Sequence, residues 1–129
     1  MRLHAGWIAA CAALALALAG CTKQVAAPMD RGVCWHVATL SNGDVRFNKV
    51  STGEPTIETC AAALEAMRDR FLSLGGSHLE ITGAYQGNFL FLNEQGIFTG
   101  EDLTGPRYFL LGRSANGQLA TAPALSTGQ

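Results

Sequence analysis

Residues 33–40 and 45–50 are two short runs rich in β-branched and aromatic side chains, separated by Ser41-Asn42-Gly43-Asp44. Asn-Gly is the strongest short hairpin signal, because both residues tolerate positive φ. With Asn42-Gly43 as a two-residue loop, Leu40 faces Val45, Ala38 faces Phe47 and His36 faces Lys49. One face of the predicted hairpin then carries Cys34, His36, Ala38, Leu40, Val45 and Phe47, with Lys49 at its margin. The other carries Trp35, Val37, Thr39, Arg46, Asn48 and Val50.

The period changes after the hairpin. Ile57, Cys60, Leu64, Met67, Phe71 and Leu74 recur at steps of three or four, the stripe of an amphipathic helix over 56–74. Thr56 is suited to the N-cap, Glu58 to the first turn, Arg68 and Arg70 to the negative end, and Gly75-Gly76 to the stop. More strand follows at 77–82, 88–92, 97–99 and 108–111, with a turn at 93–96. Phe89-Leu90-Phe91-Leu92 and Tyr108-Phe109-Leu110-Leu111 are apolar on both faces, as strands covered on both sides are. One helix covers only one face, so the second needs a curled sheet, the loop at 100–106, another copy or a partner. The predicted fold is α+β, one amphipathic helix on a mostly antiparallel sheet in a single domain over 32–113. Residues 114–129 are Ala, Ser, Thr, Gly and Gln without apolar period and read as a disordered tail. Residues 22–31, polar and small with Pro28, read as a tether.

Composition sharpens the N-terminus. The chain of 129 residues is 48% apolar, but sixteen of its first twenty residues are apolar and the remainder has an ordinary globular content. After Arg2, residues 7–19 carry no charge. This stretch falls short of the roughly twenty residues that span a bilayer and fits the h-region of a secretory signal peptide over 1–20. Leu18-Ala19-Gly20-Cys21 resembles the lipobox of bacterial lipoproteins. The resemblance implies cleavage between Gly20 and Cys21, a diacylglycerol on the Cys21 sulfur and acylation of the new amine. Two or three acyl chains anchor a protein stably without spanning, at about 0.8 kcal/mol per buried CH₂. Thr22 stands where Asp would, by the enterobacterial sorting rule, favour the inner membrane, so the implied address is the outer membrane, facing the periplasm. The folded body resembles that of small Gram-negative envelope lipoproteins and points to no characterised family.

With Cys21 committed to lipid by that resemblance and Cys11 lost with the leader, Cys34 and Cys60 remain. Two cysteines in an exported protein most economically pair with each other. A redox or metal pair and two free thiols are the alternatives; the pair lacks Cys-x-x-Cys spacing and an immediately flanking basic residue. A Cys34–Cys60 bridge would seat the helix on the Cys34 face of the hairpin.

Nine Lys+Arg against ten Asp+Glu give a net charge of −1, with no basic run to serve nucleic acid. His36 reads as a packed or edge histidine. His78 and Glu80 share one side of a strand at a spacing that can hold a metal, yet no third ligand is identifiable. Glu101-Asp102 lies in a glycine-bounded loop, where adjacent acids are usually solvated. The dispersed glycines form no phosphate-binding loop. No catalytic residue, metal set or cofactor is assigned. The favoured candidate is a binding surface, Trp35, Val37, Arg46 and Val50, whose aromatic and arginine content suits an interface. Tyr85, in a turn expected between Gly83 and Gly87, is a weaker exposed candidate. The chain is therefore expected to be a membrane-anchored binding or assembly module for an envelope partner or for itself. The alternative is a small envelope hydrolase or metal-dependent enzyme using His78 and Glu80, with Glu101 or Asp102.

Overall fold

The computed structural model describes residues 24–76 and 80–121; the leader, Cys21 and His78 lie outside them. In chain order the elements are β1 (Cys34–Thr39), β2 (Val45–Ser51), α1 (Ile57–Ser73), β3 (Ile81–Tyr85), β4 (Asn88–Asn93), β5 (Gly96–Gly100), β6 (Tyr108–Arg113) and β7 (Leu119–Ala120). They form an α+β domain with a seven-stranded sheet in the order β2-β1-β3-β4-β5-β6-β7, every neighbouring pair antiparallel. Both β2 and β3 run antiparallel to β1, so α1 carries the chain across β1 between two parallel strands. Among the described residues no helix is long and apolar enough to cross a membrane.

Local chemistry sets the ends of α1. Thr56 accepts a hydrogen bond from the Thr59 amide at 3.2 Å, and the Thr59 hydroxyl accepts one from the Thr56 amide at 3.3 Å, a reciprocal capping box. At the other end the Gly75 amide donates to the Leu72 carbonyl and the Gly76 amide to the Phe71 carbonyl, with Gly75 at φ 86°. That is the Schellman arrangement, which satisfies the last carbonyls through a left-handed glycine.

The buried face of α1 is rotated from the apolar stripe. Cys60, Ala61, Leu64, Glu65 and Arg68 are buried, whereas Phe71 is 41% and Leu74 82% exposed. Arg113 from β6 explains the rotation, because it donates to both Glu65 oxygens at 2.7 and 2.8 Å and draws a charged pair inward. Cys34, at the start of β1, is joined to Cys60 with Cα atoms 5.3 Å apart. Around this staple Leu64, Ile81, Tyr85, Leu90, Leu92, Ile97 and Leu111 build the helix-side core.

The first hairpin differs from expectation by one residue. Thr39 pairs with Val45, Val37 with Phe47 and Trp35 with Lys49. The loop has three residues, 41–43, because the Leu40 amide donates to Asp44 O at 2.7 Å and the Gly43 amide to Leu40 O at 2.9 Å. Asn42 Oδ1 accepts from the Asp44 amide at 2.9 Å and Gly43 sits at φ 88°, the turn-plus-left-handed-residue form of a three-residue loop. A one-residue slip moves every β2 side chain to the opposite face. Val45 and Phe47 therefore join Trp35 and Val37, and Arg46 and Asn48 lie on the helix side. Val50 follows them and packs against the helix-side core, just before the irregularity that sets Cys34 opposite Ser51.

The second face has its own core of Val37, Ala84, Phe89 and Phe91, flanked by Trp35, Phe47 and Phe98. Two segments cover it. Residues 24–29 form a strap that packs Val25 and Ala27 onto the face, and Leu103 reaches it from the loop between β5 and β6. The Gly87 amide donates to Pro28 O at 2.9 Å, and the Gly32 amide to Gln86 Oε1 at 2.8 Å, fastening the strap to the β3–β4 turn. Residues 24–31 are thus part of the folded domain, not a tether. The expected tail is also partly folded. Beyond a turn at 115–117, β7 pairs Leu119 with Arg113 and Ala120 with Gly112.

Candidate functional site

The helix outreaches the strands beneath it. Pairing of β1 with β3 spans Cys34 to Val37 and stops, so Ala38 and Thr39 continue beyond the last bridge. Beneath the C-terminal half of α1, at this fork, lies a groove of about 500 Å³. Ala38, Met67, Phe71 and Ile81 supply apolar wall, while His36, Thr39, Glu80 and Thr82 supply polar groups. Its size falls in the range of small-ligand sites, roughly 300–1,000 Å³, which are apolar with a few placed polar groups.

His36 is half-buried on the helix side of β1, opposite Gly83. Burial lowers its pKa from the usual 6.5, so at neutral pH the imidazole is uncharged, with one nitrogen a donor and the other an acceptor. Glu80 is held differently. Arg107 donates to its two oxygens at 3.0 and 3.2 Å, and Asn93 Nδ2 donates at 3.0 Å. Arg107 also lies 3.6 Å from the centroid of the Phe91 ring. Glu80 is therefore a fixed part of the groove wall that locks the start of β3 to the β4 end and to the β5–β6 loop.

The expected surface of Trp35, Val37, Arg46 and Val50 is not one surface. Trp35 and Val37 belong to the strapped face, and Arg46 and Val50 to the helix side, as the slipped register requires. Trp35 meets Phe47 edge-on at 6.5 Å, and Lys49 lies 5.8 Å from its ring centroid. Tyr85 is buried rather than exposed. Its strand runs past the expected turn at 83–87, and its hydroxyl donates to Glu54 O at 2.7 Å.

The remaining candidates are dispersed. Glu101 is exposed, and Asp102 packs against Gly105 within its own loop. Among the described residues no group of three or more His, Cys, Asp or Glu is placed to hold a metal. Glu65, between Arg68 at 3.5 Å and Arg113 at 2.7 Å, joins α1 to β6. The hydrogen bond to Glu65, more than any other influence, raises the Arg113 pKa. Sequence reasoning missed the groove because it depends on where β1–β3 pairing ends. It missed the strap because Val25 and Ala27 show their alternation only over a few residues. No protein-family model, curated protein or solved structure matches the chain.

Proposed function

We propose that this protein is an envelope lipoprotein, anchored through acylated Cys21, whose stapled domain is a binding module with the α1–β1–β3 groove as its recognition site. The anchor reading is carried by one observation, the sequence Leu18-Ala19-Gly20-Cys21 closing an uncharged apolar segment. The Cys34–Cys60 bridge supports an oxidising compartment such as the periplasm. Thr22 after Cys21 favours the outer membrane by the sorting rule. In the groove, the neutral imidazole of His36 beside apolar Ala38, Met67 and Ile81 suits an uncharged group with one hydrogen-bonding atom and an apolar body, from a small ligand or a partner side chain.

Fractionation tests the anchor: Cys21→Ala moves the protein from membranes to the soluble fraction, and unchanged membrane retention contradicts it. Photo-crosslinking from Thr39, on the groove rim, tests recognition. Adducts formed in cells are expected to vanish when Ala38→Trp fills the groove. Adducts indifferent to the filling place recognition elsewhere.

A further inference from the structure

The strap fixes where the anchor leaves the domain. Residues 24–29 are already packed on the second face, with Ala27 buried and Pro28 bonded to Gly87. Gln24 and Ala26 are exposed along the strap while Val25 and Ala27 point into the aromatic core. Three residue steps separate Gln24 from Cys21, and an extended chain covers at most about 3.3–3.6 Å per residue. The strap therefore begins within about 10 Å of Cys21. From these facts, and resting on lipidation of Cys21, we infer that the strapped face is the membrane-proximal face and lies on the lipid headgroup layer, without a spacer.

The side chains on that face suit the boundary. Met29, at the strap's end, is 75% exposed. Trp35 with Lys49 across its ring presents an apolar body beside a cationic tip, the composition that settles at the level of headgroups. Helix α1 lies on the opposite side of the sheet, so the groove wall that Met67 and Phe71 supply is turned away from the bilayer. The two faces then have separate tasks, one resting on lipid and the other offered to the periplasm.

Depth measurement on the acylated protein in phosphatidylethanolamine–phosphatidylglycerol vesicles tests this orientation. Ala26, on the strap, and Ala62, on the outer side of α1, are both exposed. With Cys21 acylated and Cys34 joined to Cys60, Ala26→Cys or Ala62→Cys provides a single free thiol for a nitroxide. A nickel-chelating lipid is expected to relax the Ala26→Cys label severalfold more strongly than the Ala62→Cys label. Twelve Gly-Ser residues inserted between Thr22 and Lys23 are expected to bring that ratio towards one. Equal relaxation of both labels in the uninserted, acylated protein overturns the orientation and leaves the lipid anchor standing. An intact mass showing no acyl group on Cys21 overturns both.

Discussion

Gly83 decides how closely α1 approaches the sheet. A Cβ there would lie 2.2 Å from Leu64 Cδ1, the end of a fully buried side chain, and 2.9 Å from the Trp35 carbonyl oxygen, a backbone atom that cannot turn aside. Gly83→Ala is expected to cost about 1–3 kcal/mol through overpacking, read as a lower urea midpoint at unchanged slope. Glu65 is a second determinant. Glu65→Gln removes the anion between Arg68 and Arg113, and the expected loss is about 3 kcal/mol, the lower end for a broken buried pair. Arg113 keeps its bond to the Asn93 carbonyl, which limits the loss.

His36 adds a pH dependence. Its folded pKa lies below its unfolded value of 6.5, so the unfolded chain binds more protons and acid favours unfolding. The stability that neutral His36 permits is present above pH 6.5 and is lost as pH falls through that value towards the folded pKa. Chemical denaturation of the protein and of His36→Gln at pH 7.5 and 5.5 checks it, the variant showing the smaller decline. Of these residues only the packed character of His36 could be read from the sequence. Gly83 looked like a turn glycine, and Glu65 and Arg113 are 48 residues apart with no pattern linking them.

Among the elements, α1 was the most legible in its bounds, because its cap, period and glycine stop agree with one another; its buried face was not, since Glu65 and Arg68 turn inward while Phe71 and Leu74 are exposed. The first hairpin was legible in existence and wrong in register, whereas the turn read at 93–96 is where β4 returns as β5, with Asn93 paired to Gly96. Asn42-Gly43 does form a turn, but Asn occupies the middle of a three-residue loop instead of opening a two-residue one. Asn116-Gly117 repeats the arrangement: the Ser114 amide donates to Gln118 O, the Gly117 amide to Ser114 O, and Asn116 Oδ1 accepts from the Gln118 amide. The expected tail thus contained the same hairpin signal as the expected strand pair. It was hidden by the small, polar residues around it. At both loops a glycine takes φ above 80° with open space where a Cβ would go, so the constraint there is conformational. Gly43→Ala is expected to cost about 1–2 kcal/mol, and Gly43→Asn less, because Asn enters the left-handed region more readily. Equal thermal midpoints for the alanine variant and the parent would show that the loop relaxes to another form.

For the molecule as a whole, the disulfide is the principal constraint on a small domain. Closing 26 residues of sequence restricts the unfolded chain by roughly 3.5 kcal/mol in the entropy model, a large part of the typical 5–15 kcal/mol for a folded protein. Reduction is expected to lower the thermal midpoint by about 15 °C, measured by calorimetry with and without reductant. The helix and the antiparallel sheet were legible from periodicity, and the need to cover a second sheet face was legible from the doubly apolar β4; in β6 the same reading fails, because Tyr108 and Phe109 stay 64% and 45% exposed. What covers the second face was not legible, because the strap and Leu103 act through contacts distant in sequence. Export and anchoring form the central claim about the whole molecule, and the strap gives that claim a spatial consequence. Intact mass spectrometry of the protein purified from membranes tests it most directly. The account predicts a chain beginning at Cys21 that carries two or three acyl groups. A chain that retains residues 1–20, or one that begins elsewhere without lipid, would contradict it.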